Sequence, residues 1–276
     1  MRSNLALALV GSLLVGAAGA SAVSAQDAPS SAAREWLDDC RDNDHDSRRA
    51  RYCMVRELGW RAAGRPISVE PGENGGVRVM GWDRDSVHVV AGIQAWARSE
   101  SAAQELAEGV EIETTPTLGA DGPDTYRRDG WSAMFMVWVP RRSDLDLTTH
   151  NGPASVEGVV GRMEIETENG PLSLRNVGGD VRGRAQNGPL DIELQGDRWE
   201  GTGLDAETQN GPVHLTIPSG YSARLETGTV NGPMSIDFPV VMQGRINFRR
   251  ISTDLGQGGP PIRARTTNGP LIIRRR

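Results

Sequence analysis

Ser173, Asp191 and His214 are the residues best placed by type and spacing to do chemistry, because each stands four positions after the Asn of an Asn-Gly-Pro tripeptide. Serine, aspartate and histidine are the members of a hydrolytic triad, in which the imidazole takes the hydroxyl proton and the carboxylate orients the imidazole. The spacing argues against that use. If successive repeats lie side by side, Asp191 falls between the other two, so His214 does not reach Ser173. A flat row of side chains also offers no oxyanion hole. The expectation is ordinary strand polarity, with no catalytic residue.

Other candidate sites are weaker. His45, His88, His150 and His214 are scattered, with no pair at metal-binding spacing. Asp42-Asn43-Asp44-His45-Asp46 resembles half a calcium loop, but the glycine at position six and the glutamate at position twelve are missing. It reads as a polar turn. The chain has no Lys, which excludes a phosphate-binding Gly-x-x-x-x-Gly-Lys loop, and it has no Gly-Gly-x-Gly-x-Asp calcium repeat. No cofactor and no metal are expected. Trp36, Trp60, Trp82, Trp96, Trp131 and Trp138 crowd the first half, with Trp199 alone later. Core filling suits them better than sugar stacking.

Residues 1–25 read as a signal peptide. Arg2 supplies the positive start, Leu5 to Gly19 an apolar stretch, and Val23-Ser24-Ala25 a small-residue cleavage site. No later stretch is apolar enough to span a membrane. Export makes a local disulfide between Cys40 and Cys53 the simplest use of the two cysteines. A formal net charge of −6 without a basic run argues against nucleic acid as a partner. The terminal Arg274-Arg275-Arg276 reads as a solvated end.

Those residues must be positioned by elements. Residues 26–65 read as a helical, disulfide-bearing N-terminal cap: one helical piece near Ala32–Leu37, and a second starting from Asp46 or Ser47 and running through Val55 and Leu58. From 66 the pattern becomes strands. Ile67-Ser68-Val69, Val77-Arg78-Val79 and Val87-His88-Val89 alternate at period two. A helix is expected over Ala102–Ala107, opened by Ser99 or Ser101 and closed by Gly109. Strands resume at Val110-Glu111-Ile112 and at Met134 to Val139, and 116–130 reads as an exposed loop.

The repeat is clearest over 145–276. Asn-Gly-Pro begins at Asn151, Asn169, Asn187, Asn210, Asn231 and Asn268, and periods of about 20 residues mark stacked repeat architectures. Two residues before each Asn stand Thr149, Thr167, Ala185, Thr208, Thr229 and Thr266; six before it stand Leu145, Met163, Val181, Leu204, Leu225 and Ile262. The third and fifth positions after it are apolar throughout, as in Leu190 and Ile192. Alternation on both sides of the tripeptide is strand periodicity with one face buried. In a two-residue Asn-Gly hairpin the following residue donates its N–H across the turn, and proline has none. A corner onto a new face suits proline better. The expected fold is therefore all-β, a β-solenoid of short strands with Asn-Gly-Pro corners, in which Asn side chains bond one another up the stack. A β-sandwich of hairpins is the competing fold.

Outward positions support stacking. Glu164, Arg182 and Asp205 fall in one row, and Glu166, Arg184 and Glu207 in another, so that signs alternate from repeat to repeat. Each opposite-charge pair contributes only ~0.2–1 kcal/mol, but a slipped register loses it.

The unit Thr-x-Asn-Gly-Pro-Leu-Ser-Leu with the intervening Gly178-Gly179-Asp180-Val181 resembles the bacterial putative-adhesin domain family. The segment from Asp237-Phe238-Pro239 through Gly256-Gln257-Gly258-Gly259-Pro260 to Thr266 is similar to that family's closing module. The resemblance covers roughly 67–276 and departs in having Pro after every Asn-Gly of the repeat. It implies an exported β-solenoid with no catalytic residues to carry over. The domain expectation is a signal peptide at 1–25, the cap at 26–65 and the solenoid at 66–276. The functional expectation is a non-enzymatic envelope or surface protein, binding glycan or protein through flat faces. Alternatives are a carbohydrate-active β-helix enzyme, which needs a groove with unpaired carboxylates, and an envelope-stress scaffold or sensor.

Overall fold

The computed structural model describes residues 28–42, 49–125, 128–237 and 249–276. The expected signal peptide and most of the polar Asp/Asn turn lie outside these residues.

Helix α1 (Ala28–Asp42) leads to strands β1 (Ala50–Arg61), β2 (Ile67–Glu70), β3 (Gly75–Trp82) and β4 (Ser86–Ala97). Helix α2 (Glu100–Glu108) is followed by β5 (Glu111–Glu113), β6 (Leu118–Asp121) and β7 (Gly130–Pro140). Strands then come in pairs flanking each Asn-Gly-Pro: β8 (Leu145–Thr149) with β9 (Ala154–Glu157), and β10 (Val160–Asn169) with β11 (Leu172–Arg175). Next come β12 (Gly178–Asn187) with β13 (Leu190–Glu193), β14 (Gly203–Asn210) with β15 (Val213–Ile217), and β16 (Ala223–Asn231) with β17 (Met234–Ile236). After β18 (Arg250–Leu255), β19 (Pro261–Asn268) and β20 (Leu271–Arg275) end the chain.

The fold is mostly β, in two mixed ten-stranded sheets. The first sheet runs β1-β4-β7-β3-β9-β11-β13-β15-β20-β17, the second β18-β16-β19-β14-β12-β10-β8-β2-β6-β5. The first strand of each repeat lies in the second sheet and its partner in the first, so the chain changes sheet at each Asn-Gly-Pro. Equivalent strands of neighbouring repeats pair in parallel and in register, as in Met163 opposite Val181 and Leu172 opposite Leu190. Antiparallel pairing is confined to the two ends of the stack: β1 with β4, β4 with β7, β5 with β6, and β16 with β18.

Period-two alternation turns one apolar row of every strand inward. Leu147, Ile165, Leu172, Leu174, Leu190, Leu204, Leu215 and Leu225 are all fully buried in one core shared by both sheets. A side chain as large as Leu removed from water contributes roughly 1.5–3 kcal/mol, so this row decides the register.

Three expectations need correction. Residues 50–61 form β1, not a second helix: Tyr52, Val55 and Trp60 suit a strand, and the segment pairs with β4 over its full length. Long-range pairing outweighs the local helical pattern. The 116–130 segment is not merely a loop, because Leu118 is driven into the core and carries β6 with it. Finally, α1 does not cover the open end. It packs with Ala33 on Trp82, Val90, Met136 and Trp138, which alternate with the inward Val89, Val137 and Val139 and so lie on the outer face of the first sheet. The end strand there is β1, and α2 packs Ala107 against Ile93 and Ala95.

Within the Asn-Gly-Pro repeats the strand order holds one departure from sequence order. The last pair, β19 and β20, lies between β14/β15 and β16/β17. The inserted pair sets Arg263 between Asp205 and Glu226, whereas the sequential order would set those two carboxylates against each other; at ~0.2–1 kcal/mol per pair, charge favours this order without deciding it.

Candidate functional site

The best-defined constellation is the line of hydrogen-bonded Asn side chains where the chain passes from one sheet to the other. Asn169 donates from Nδ2 to Oδ1 of Asn151 at 3.0 Å, Asn187 to Asn169 at 3.0 Å and Asn210 to Asn187 at 2.9 Å. Asn268 donates to Asn210 at 2.8 Å and Asn231 to Asn268 at 2.9 Å. At the other end Asn151 donates to the Glu73 carbonyl at 3.0 Å and towards Asn74 at 3.5 Å. Asn74-Gly75-Gly76 thus extends the Asn line by a seventh, degenerate Asn-Gly. Its signal was present in the sequence as Asn-Gly followed by the alternating Val77 and Val79, but without proline it reads only as a turn.

Each residue of the tripeptide has a physical task. A Cβ on Gly170, Gly188, Gly211 or Gly232 would lie 2.0–2.1 Å from the carbonyl oxygen of the glycine in the neighbouring repeat, a distance no side chain tolerates. Proline has no N–H to satisfy, while its carbonyl accepts from a neighbouring repeat, as Pro189 does from Leu172 of the preceding one at 2.9 Å. The Thr two positions before the Asn is buried, and its hydroxyl donates to a tripeptide glycine carbonyl: Thr208 to Gly188 at 2.8 Å, Thr266 to Gly211 at 2.8 Å and Thr229 to Gly269 at 2.9 Å. Buried hydroxyls require such partners.

Ser173, Asp191 and His214 stand on neighbouring strands in that order. His214 Nδ1 lies 2.7 Å from Asp191 Oδ1, with both side chains 44% exposed. Ser173 is separated from the imidazole by Asp191, so no hydroxyl–imidazole contact exists. Cys40 and Cys53 form a disulfide joining α1 to β1. Among the described residues no cluster of His, Cys, Asp or Glu is placed to hold a metal ion, and no helix is long and apolar enough to cross a membrane.

The outer face of the second sheet carries the charge rows. Arg184 lies 3.1 Å from Glu166 and 3.5 Å from Glu207. Arg265 contacts Asp205 at 2.6 Å and Glu207 at 3.4 Å, and Arg263 contacts Glu226 at 2.7 Å. The hydrogen bond from Arg263 holds the Glu226 carboxyl below its ordinary range, with Arg224 adding to the effect against a smaller opposing pull from burial. Arg182 stands in register between Glu164 and Asp205 as the row requires, but Asp205 takes Arg265 as its ion-pair partner. A groove of about 1070 Å³ lies on this face, lined by Gln186, Gln209 and Thr267, by the paired charges and Glu168, and by Val230, Arg249 and Arg250. Val230, 57% exposed, is the one large apolar side chain left in water among the described residues.

No protein-family profile matches the sequence. No curated protein matches it. Solved structures resemble the chain at low identity. A putative cell adhesion protein from Clostridium sporogenes is 8% identical, with a TM-score of 0.45, over 82% of this chain and 100% of its own. A putative adhesin from Parabacteroides distasonis is 7% identical, with a TM-score of 0.35, over 81% of this chain and 97% of its own. A putative lipid binding protein from the same organism is 8% identical, with a TM-score of 0.30, over 81% and 96%. Of these three, two are named for adhesion and one for lipid binding.

Proposed function

We propose that the chain is an exported, non-enzymatic, adhesin-like β-solenoid of the cell envelope or surface. Residues 1–25 act as its signal peptide, 26–65 as a disulfide-tied N-terminal segment and 66–276 as the solenoid. In this reading each repeat is one coil, the Asn-Gly-Pro tripeptides are its corners, and a glycan or protein partner docks on the outer face of the second sheet. The observation that carries it is the groove there, lined by the amides of Gln186 and Gln209 and the hydroxyl of Thr267, in which Glu166, Glu207 and Glu226 are held by Arg184, Arg265 and Arg263 and Glu168, among the described residues, stands without an ion pair. Paired charges favour binding over hydrolysis, since glycoside hydrolysis needs a carboxyl free to give up a proton beside a second carboxylate. Pre-organised polar side chains on strands lose little entropy when a ligand docks.

The test is a glycan array and a pull-down with the mature chain and with Gln186→Arg/Gln209→Arg, which fills the groove while leaving the core untouched. Binding by the wild type and its loss in the variant support the reading. Equal binding by both moves the docking surface elsewhere, and hydrolysis of a captured glycan overturns the non-enzymatic assignment.

A further inference from the structure

We propose that Asn231 is a site of spontaneous covalent modification, in which the Gly232 amide closes on the Asn231 side chain to a succinimide that water opens to aspartate or isoaspartate. The Gly232 nitrogen attacks Cγ of Asn231, a new N–Cγ bond forms, and the Cγ–Nδ2 bond breaks. Nδ2 leaves as ammonia, carrying the amide proton. One water then adds at either ring carbonyl. The balance requires no oxidant, metal or cofactor.

Glycine after asparagine makes this easiest, because no side chain hinders the approach of the amide nitrogen. All six Asn-Gly-Pro tripeptides share that property, so sequence does not rank them. Hydrogen bonding does. The amides of Gly170, Gly188, Gly211 and Gly269 donate to the carbonyls of Asn187, Asn210, Asn268 and Asn231 at 3.0–3.1 Å. An amide committed in this way must lose its bond before its nitrogen can attack. The side-chain oxygens of Asn151, Asn169, Asn187, Asn210 and Asn268 each accept from the next Asn, which fixes the carboxamide in the line.

Asn231 is last in that line. It donates to Asn268 at 2.9 Å, but among the described residues nothing donates to its Oδ1 and nothing accepts from the Gly232 N–H. Asn231 itself is exposed to the water that the second step needs. Asn151 is the intermediate case: Gly152 N–H has no acceptor among the described residues, but the Asn151 oxygen is held by Asn169. Conversion at Asn231 would leave a carboxylate unable to donate to Asn268, and the isoaspartyl form would add a backbone carbon there. Loosening would begin at β16 and β17.

The experiment incubates the mature full chain at mildly alkaline pH, folded and in denaturant, and follows each Asn-Gly peptide by mass spectrometry that separates aspartyl from isoaspartyl products. In denaturant all six tripeptides should convert at similar rates. In the folded chain Asn231 should convert at least about tenfold faster than Asn187 or Asn210, the factor that one retained hydrogen bond imposes. Protection of Asn231 equal to that of Asn187 overturns the proposal. So does equal conversion of all six in the folded chain, which would mean that sequence alone sets the rate.

Discussion

Asn268 donates to Asn210 across 58 residues of chain at 2.8 Å, and Asn231, which lies between them in sequence, sits on the far side of Asn268. The last repeat is therefore wedged between two earlier ones. The same order sets Arg263 between Asp205 and Glu226.

That wedge makes Arg263 more valuable than an isolated surface cation. Arg263→Glu would place three carboxylates in one row, and we expect a loss of about 1–2 kcal/mol at low salt that shrinks as salt is added. Urea melts at two ionic strengths measure it. A salt-independent loss would locate the cost in packing rather than charge.

Acid should weaken the same region. The folded-state value of Glu226 is depressed by Arg263 and then Arg224, so its stabilisation is complete above the unfolded value near 4.3 and is lost as pH falls through the lower folded value. Stability of the wild type should drop on acidification below about pH 4. In Arg263→Gln that drop should be shallower, as read from denaturation midpoints across the acid range.

The tripeptide glycines leave no room for substitution. Gly188→Ala puts a methyl 2.0 Å from the Gly170 carbonyl oxygen, and the shift needed should cost about 3 kcal/mol or more. Thermal melts of Gly188→Ala beside Gly196→Ala separate this from a conformational effect. Gly196 has positive φ but nothing near its Cβ, so its substitution should cost less.

Ala185 breaks the buried Thr column between Thr167 and Thr208. Ala185→Thr should return a hydroxyl to the Gly170 carbonyl and stabilise the chain by about 0.5–1.5 kcal/mol. A lower melting temperature would show that the space at Ala185 is already filled.

Reducing the Cys40–Cys53 disulfide should free α1 while leaving the strands intact. Circular dichroism should keep its β signal, and Trp36, which packs on the outer face of the first sheet, should change its fluorescence. A bridge closing a loop of this size contributes ~3 kcal/mol in the chain-entropy account. Loss of all strand signal would contradict the separation. By contrast, Leu190→Asp or Ile192→Asp should unfold the stack, since both side chains are sealed in the core and an unpaired carboxylate there is very costly.

Much of the repeat was legible in the residues themselves. Alternation around Leu172, Leu190 and Val213 gave strands with one buried face, the missing proline N–H argued against a hairpin where the chain in fact passes between sheets, and Glu166, Arg184 and Glu207 gave the neighbours across the sheet. These features repeat locally, so a single copy carries the information. The wedge of the last repeat, the strand at 50–61 and the seat of α1 were settled only by tertiary structure. Each depends on surfaces far apart in sequence: β4 offers an open edge to β1, Trp82 and Trp138 an apolar face to α1, and Asp205 a charge to Arg265. Local patterns state what a segment buries, and only the assembled chain states against what.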